Sequence, residues 1–232
     1  MQTSAYVKRR NEIEAYFDHT ALDAWKRLTS TEKVSGIRAT VRAGRDEMRR
    51  ELLSRFPDDL TGWRILDAGC GGGALAHALA GRGADVLGVD LSAQMIDHAR
   101  SGLPKVTGPG RLELVSGDML GDHGVFDAVV AMDSLIHYAR GQVGDALIRL
   151  AGRTRMKIVF TLAPKTPLLA TMHAVGKLFP RSDRSPAIEP VQAATLIDGV
   201  LKRADMADWR KGPAFKVQRG FYISEAQELV RR

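Results

Sequence analysis

Residues 63–90 constrain the chain more than any other stretch. Residues 64–68 form a short apolar run holding one acid, Asp67, and the run stops at a glycine cluster, Gly69-Cys-Gly-Gly-Gly73. Apolar residues then recur at helical spacing, with Leu75 and Leu79 among Ala74, Ala76, Ala78 and Ala80. This pattern predicts strand, tight turn and helix. Residues 84–89 read as a second buried strand ending at Asp90. A glycine turn between strand and helix lets bare backbone approach a ligand, and the helix start offers unpaired N–H groups. An acid at the tip of the next strand can hold a ribose by its two hydroxyls. Together these features make half of a nucleotide-binding α/β domain.

Gly69-x-Gly71-x-x-Ala74 satisfies the dinucleotide fingerprint, with Asp90 about 20 residues on. The fuller pattern is Asp67-x-Gly69-x-Gly71-x-Gly73. A carboxylate at the end of a buried strand is costly unless it meets a cation or several donors. A dinucleotide pyrophosphate would be repelled there. S-adenosylmethionine carries no phosphate and has an ammonium group that Asp67 can accept. On these residues the chain resembles the class I S-adenosylmethionine-dependent methyltransferases.

The chain has 232 residues, enough for one sizeable core, and no apolar run nears the ~18 residues of a membrane span. The first ten residues lack the apolar core of a signal peptide. Its single cysteine, Cys70, excludes an internal disulfide and any cysteine-based zinc site. These facts point to the cytoplasm. The net charge of +7 fits nucleic acid, an anionic membrane surface or an acidic small substrate. No basic patch is interleaved with aromatics, which argues against nucleic acid.

Residues 4–57 are predicted to be helical. Tyr6, Ile13, Tyr16 and Phe17 cluster on one face of a first helix, and residues 18–28, with Trp25, form a second. A longer helix starts near residue 35, where Val34, Ile37, Val41, Met48 and Leu52 share a face. Arg38, Arg42, Arg45 and Arg49 run beside that face as a stripe placed to border a cleft. Either solvent, Asp46 and Glu47 satisfy them, or Arg45 or a neighbour neutralises a carboxylate of cofactor or substrate. Residues 1–60 read as a helical cap, with Gly36 and Gly44 as candidate flexible points, and 61–232 as the cofactor-binding domain.

Ser92 reads as the N-cap of a helix over 92–101. Further strands are expected at 111–116, 126–132 and 156–162, and helices at 141–151, 168–179 and 190–203. Residues 180–186 form a basic loop with Arg181 and Arg184. Residues 206–210 and 215–223 read as an antiparallel hairpin around a Gly212-Pro213 turn. The expected fold is α/β and Rossmann-like: a seven-stranded, mostly parallel sheet with an antiparallel terminal strand and right-handed crossovers. In such sheets the ligand lies beyond the carboxyl ends of the strands, so residues 133–138 should face the reacting methyl group.

Several segments lie outside the general motifs: Tyr16-Phe-Asp-His-Thr-Ala, Val41-Arg-Ala-Gly-Arg-Asp, Ala131-Met-Asp-Ser-Leu-Ile-His-Tyr, Phe160-Thr-Leu-Ala-Pro-Lys-Thr, Leu178-Phe-Pro-Arg-Ser-Asp-Arg-Ser-Pro and Arg219-Gly-Phe-Tyr-Ile-Ser-Glu. Through them nearly the whole chain resembles the magnesium-protoporphyrin IX O-methyltransferases of bacteriochlorophyll biosynthesis. The resemblance implies esterification of one propionate of Mg-protoporphyrin IX, with S-adenosylmethionine as cofactor. It implies a cofactor site of Asp67, Gly69, Gly71, Gly73, Asp90 and Leu91, and Arg45 and Met132 are further candidates for it. Asp118 matches the position that contacts the adenine amine or else caps a turn, the Met119 backbone sits beside the ring, and Tyr16 packs over the cofactor or belongs to the core.

A propionate is ionised at neutral pH, so methylation needs positioning and water exclusion more than a strong base. His137, with Tyr138 beside it, is the candidate catalytic group: it orients the propionate or reaches the substrate's magnesium as an axial ligand. The other histidines (His19, His77, His98, His123, His173) lack metal-ligand spacing and read as surface or structural, so no protein-bound metal is expected. Contact with the magnesium chelatase upstream and peripheral association with the inner or photosynthetic membrane complete the expectations. The alternatives are methylation of another small molecule such as a quinone, an NAD-dependent oxidoreductase, and a non-catalytic carrier of the porphyrin.

Overall fold

A computed structural model describes residues 4–19, 36–165 and 188–232. The helices expected at 18–28 and 168–179 and the basic loop at 180–186 lie wholly or mostly outside the described residues. Seven strands form one sheet: β1 (Arg64–Ala68), β2 (Asp85–Asp90), β3 (Arg111–Ser116), β4 (Phe126–Ala131), β5 (Thr154–Leu162), β6 (Trp209–Arg219) and β7 (Tyr222–Arg231). Their order is β3-β2-β1-β4-β5-β7-β6. Strands β1 to β5 are parallel, and β7 is antiparallel to both β5 and β6. Ile65, Leu66, Asp67 and Ala68 are all buried, as a central parallel strand covered on both faces requires.

The described helices are α1 (Ser4–His19), α2 (Gly36–Leu53), α3 (Ala74–Gly81), α4 (Ala93–Gly102), α5 (Arg140–Ala151) and α6 (Ala193–Leu201), with a short 3₁₀ turn at Leu135–His137. The Ser92 hydroxyl accepts from the Met95 N–H at 3.1 Å and caps α4. One core packs α2 and α3 against the sheet, joining Met48 and Leu52 to Leu79, Val130, Val159 and Tyr222. The other packs α5, α6 and part of α1 against the sheet through Leu147, Ile197 and Ile13. The two N-terminal helices therefore differ in role. Tyr6 and Ile13 of α1 are buried on the α5–α6 side of the sheet, whereas Met48 and Leu52 of α2 are fully buried on the α3 side. Gly44 serves packing there rather than hinging, since a Cβ on it would lie 2.5 Å from the Tyr222 ring.

The hairpin turn differs from expectation. Arg219 pairs with Tyr222, leaving Gly220-Phe221 as a two-residue loop, and Gly220 has φ of 53°. Positive φ at the first loop position suits a short hairpin, which Gly supplies at little cost. Gly212-Pro213 instead falls inside β6, where the register slips between Lys211 and Ala214. Proline has no N–H for the ladder, so it sits at a bulge rather than at a turn. Among the described residues, no helix is long and apolar enough to cross a membrane.

Candidate active site

The strand order reverses direction between β1 and β4, the point where such sheets open a crevice at their carboxyl ends. A cavity of about 810 Å³ lies there. The turn after β1 forms one wall. Gly69, Gly71 and Gly73 take φ of 83°, 52° and 73°, a left-handed run that L side chains resist. The turn is fastened to β2: the Gly69 and Cys70 N–H groups donate to the Val89 carbonyl at 2.8 and 3.1 Å. Gly69, Cys70, Gly71 and Gly72 face the cavity. Gly73 does not line it. A Cβ on Gly73 would lie 2.8 Å from Leu103, so this glycine serves the close approach of the helix start to α4.

Asp67 lines the cavity and is 1 % exposed. Its Oδ2 has no hydrogen-bond partner among the described residues. Burial, with the charge of Asp90 added, pushes its pKa up to about 7, and the Ala76 N–H offsets this only in part. An unsatisfied buried carboxylate oxygen facing a cavity is a site for a cation that brings its own N–H donors. Asp90 also lines the cavity. Its two oxygens accept from the Gly71 and Ser92 N–H groups at 2.8 and 3.0 Å. Burial raises its pKa and these two bonds pull it back. Each oxygen keeps a second lone pair, the requirement for holding two vicinal hydroxyls.

Leu91, Met119 and Met132 line the same cavity, as do Arg45, His137 and Tyr138. Asp118 and Tyr16 do not. The Asp118 carboxylate turns to α1, accepting from the Tyr6 hydroxyl at 2.8 Å and pairing with Arg10 at 3.4 Å. It also accepts from the Leu120 N–H at 2.8 Å. Tyr16 packs edge-on against Phe17, and it is Phe17, with Ile13, that reaches the cavity. Positions 13 and 17 share a helix face, whereas 16 is turned about 100° from 17. Phe17 in turn stands edge-on to His137, with ring centres 5.8 Å apart.

His137 ends the 3₁₀ turn after β4, and its carbonyl accepts from Arg9 at 2.7 Å. Tyr138 stacks on Tyr6 at 5.4 Å, and burial pushes its hydroxyl well above the ordinary range, so it stays a neutral donor. Of the arginine stripe, Arg42, Arg45 and Arg49 border the cavity. Arg49 pairs with Asp46 at 2.7 Å on its own helix. Arg45 pairs at 2.7 Å with Asp133, the first residue of the segment expected to face the reacting methyl group. The signal for Asp133 was the one that singled out Asp67: an acid at the carboxyl end of a buried strand. His98, read as surface or structural, also lines the cavity.

The glycine turn, the orphaned Asp67 oxygen and the paired acid on β2, set at the switch point of this sheet, define a class I S-adenosylmethionine-dependent methyltransferase fold. A general methyltransferase-domain family model matches residues 65–155, and the model of the magnesium-protoporphyrin IX methyltransferase C-terminus matches residues 131–231. A Rhodobacter capsulatus protein named magnesium-protoporphyrin O-methyltransferase is 49 % identical over 97 % of this chain and 98 % of its own length. A crystal structure of the Synechocystis magnesium protoporphyrin IX methyltransferase with bound SAH superposes with a TM-score of 0.80. It is 27 % identical and covers 96 % of this chain and 100 % of that one. A ubiquinone biosynthesis O-methyltransferase of Thiobacillus denitrificans is 36 % identical over 69 % of this chain and 73 % of its own length. The chain belongs to the magnesium-protoporphyrin O-methyltransferase family.

Proposed function

We propose that this protein transfers a methyl group from S-adenosylmethionine to a propionate carboxylate of Mg-protoporphyrin IX, giving the monomethyl ester. The observation that carries the reading is the likeness to the Rhodobacter capsulatus protein along nearly its whole length. The cavity suits the cofactor. The unpartnered Asp67 oxygen would hold its ammonium, Asp90 its ribose hydroxyls and Arg45 its carboxylate, with Leu91 and Met119 beside the adenosine; all five residues line the cavity. When bound, S-adenosylmethionine supplies a methyl carbon on a sulfonium centre.

The chain's own task is then placement. The propionate oxygen must approach that carbon in line with the breaking C–S bond, and no proton has to move. His137 orients the propionate or ligates the substrate's magnesium, and the Tyr138 hydroxyl donates beside it. Phe17 and Ile13 add apolar wall to the cavity, which disfavours water there. Alignment of this kind supplies several kcal/mol of barrier lowering, up to about 7–11 in the best intramolecular cases. Delivery of the porphyrin by magnesium chelatase and peripheral membrane association belong to the same proposal, the second supported by the +7 net charge.

The test is incubation with labelled S-adenosylmethionine and either Mg-protoporphyrin IX or a demethylated quinone analogue. Labelled porphyrin ester alone is the expected product. Label in the quinone alone would favour the quinone reading, and no label at saturation would favour a non-catalytic carrier.

A further inference from the structure

Asp133 follows β4 directly and is 9 % exposed. Its φ of 55° is the one positive value outside glycine among the described residues. A left-handed aspartate persists only where its surroundings over-determine it. They do so here. Its carboxylate accepts from Arg45 at 2.7 Å, from the Tyr222 hydroxyl at 3.1 Å, from Thr161 at 3.1 Å and from Ser224 at 3.3 Å. Its backbone N–H donates to the Thr161 hydroxyl at 2.7 Å. One carboxylate thus ties together α2, β5 and β7.

The hairpin also fixes where α2 lies. Gly44, the residue before Arg45, is pressed on the Tyr222 ring, and a Cβ on Gly220 would lie 2.7 Å from the Thr40 hydroxyl. The β6–β7 hairpin therefore sets both the seat of the helix and the direction of its arginine.

We infer that Asp133 is a positioning residue, holding the Arg45 guanidinium at the cavity wall to receive the carboxylate of the methyl donor, with Tyr222 and Ser224 acting through it. This rests on the proposed assignment of Arg45 to that carboxylate. The test is calorimetric titration of wild type, Asp133→Asn and Tyr222→Phe with two ligands, S-adenosylhomocysteine and its decarboxylated analogue, which keeps the ammonium. Wild type prefers the first ligand. Asp133→Asn weakens S-adenosylhomocysteine about tenfold and leaves the analogue unchanged, and Tyr222→Phe shows the same selectivity at about threefold. Equal losses for both ligands, or no loss, would overturn the inference. If Asp133→Asn does not fold, Tyr222→Phe decides by the same criterion. Wild type binding both ligands equally would remove Arg45 from the carboxylate and the inference with it. Wild type binding neither would reject the methyl donor itself.

Discussion

Gly69 and Ser134 touch in the wall of the cavity. A Cβ on Gly69 would overlap the Ser134 side chain, whose hydroxyl donates to the Ala68 carbonyl at 2.7 Å. The turn after β1 and the segment after β4 are thus locked together, and both line the site. Gly69→Ala adds the cost of a left-handed φ, about 1–2 kcal/mol, to this overlap. Thermal unfolding and ligand titration should show a lower Tm and at least roughly tenfold weaker S-adenosylhomocysteine binding. A variant matching wild type in both would mean the two segments yield freely.

Asp67 gives the site a pH dependence with a definite sign. Its pKa of about 7 in the folded protein lies above the ordinary 3.8. Its contribution to stability is therefore complete below about pH 4 and is lost as pH rises through about 7. At about 1.4 kcal/mol per pH unit the total is on the order of 4 kcal/mol. Asp67→Asn should raise the ligand-free Tm at pH 8, and the gain should shrink towards pH 5.

Ligand binding should run the other way. An ammonium needs the ionised carboxylate, so wild-type affinity for S-adenosylhomocysteine should rise as pH approaches about 7 and then level. Asp67→Asn should bind more weakly at neutral pH and lack that slope. Parallel profiles for the two proteins would place the ammonium elsewhere.

His137→Ala separates the acceptor from the cofactor. Its kcat/KM for Mg-protoporphyrin IX should fall about tenfold or more, with S-adenosylhomocysteine affinity within about twofold of wild type. Unchanged turnover and porphyrin affinity would remove His137 from the site.

The Tyr6 hydroxyl joins α1 to Asp118. Tyr6→Phe should lower stability by about 1 kcal/mol in chemical denaturation and speed amide exchange in α1. Unaltered exchange would show that the stacking on Tyr138 suffices to hold the helix.

What was legible in the sequence is what the backbone pattern dictates. Residues 111–116 match β3 to the residue, and Ser92 caps α4 as its position suggests. Asp67, Gly69, Gly71 and Asp90 converge because one strand-turn-helix-strand unit places them. Long-range partners were not legible. Nothing near Asp118 in the sequence says that Tyr6, 112 residues earlier, takes its carboxylate. Asp133 met Arg45 and Tyr222 only because the hairpin seats α2, and the hairpin itself was misplaced because Gly212-Pro213 looks like a turn and Gly220-Phe221 does not.

Helix α1 is stapled to the segments that follow β3, β4 and β2: Tyr6 to Asp118, Arg9 to the His137 carbonyl, and Asp18 to the Ser92 hydroxyl at 2.5 Å. Deleting the first nineteen residues would do more than shorten the chain. It would remove all three ties at once and widen the path by which bulk water reaches the cavity and competes with the propionate for the sulfonium methyl.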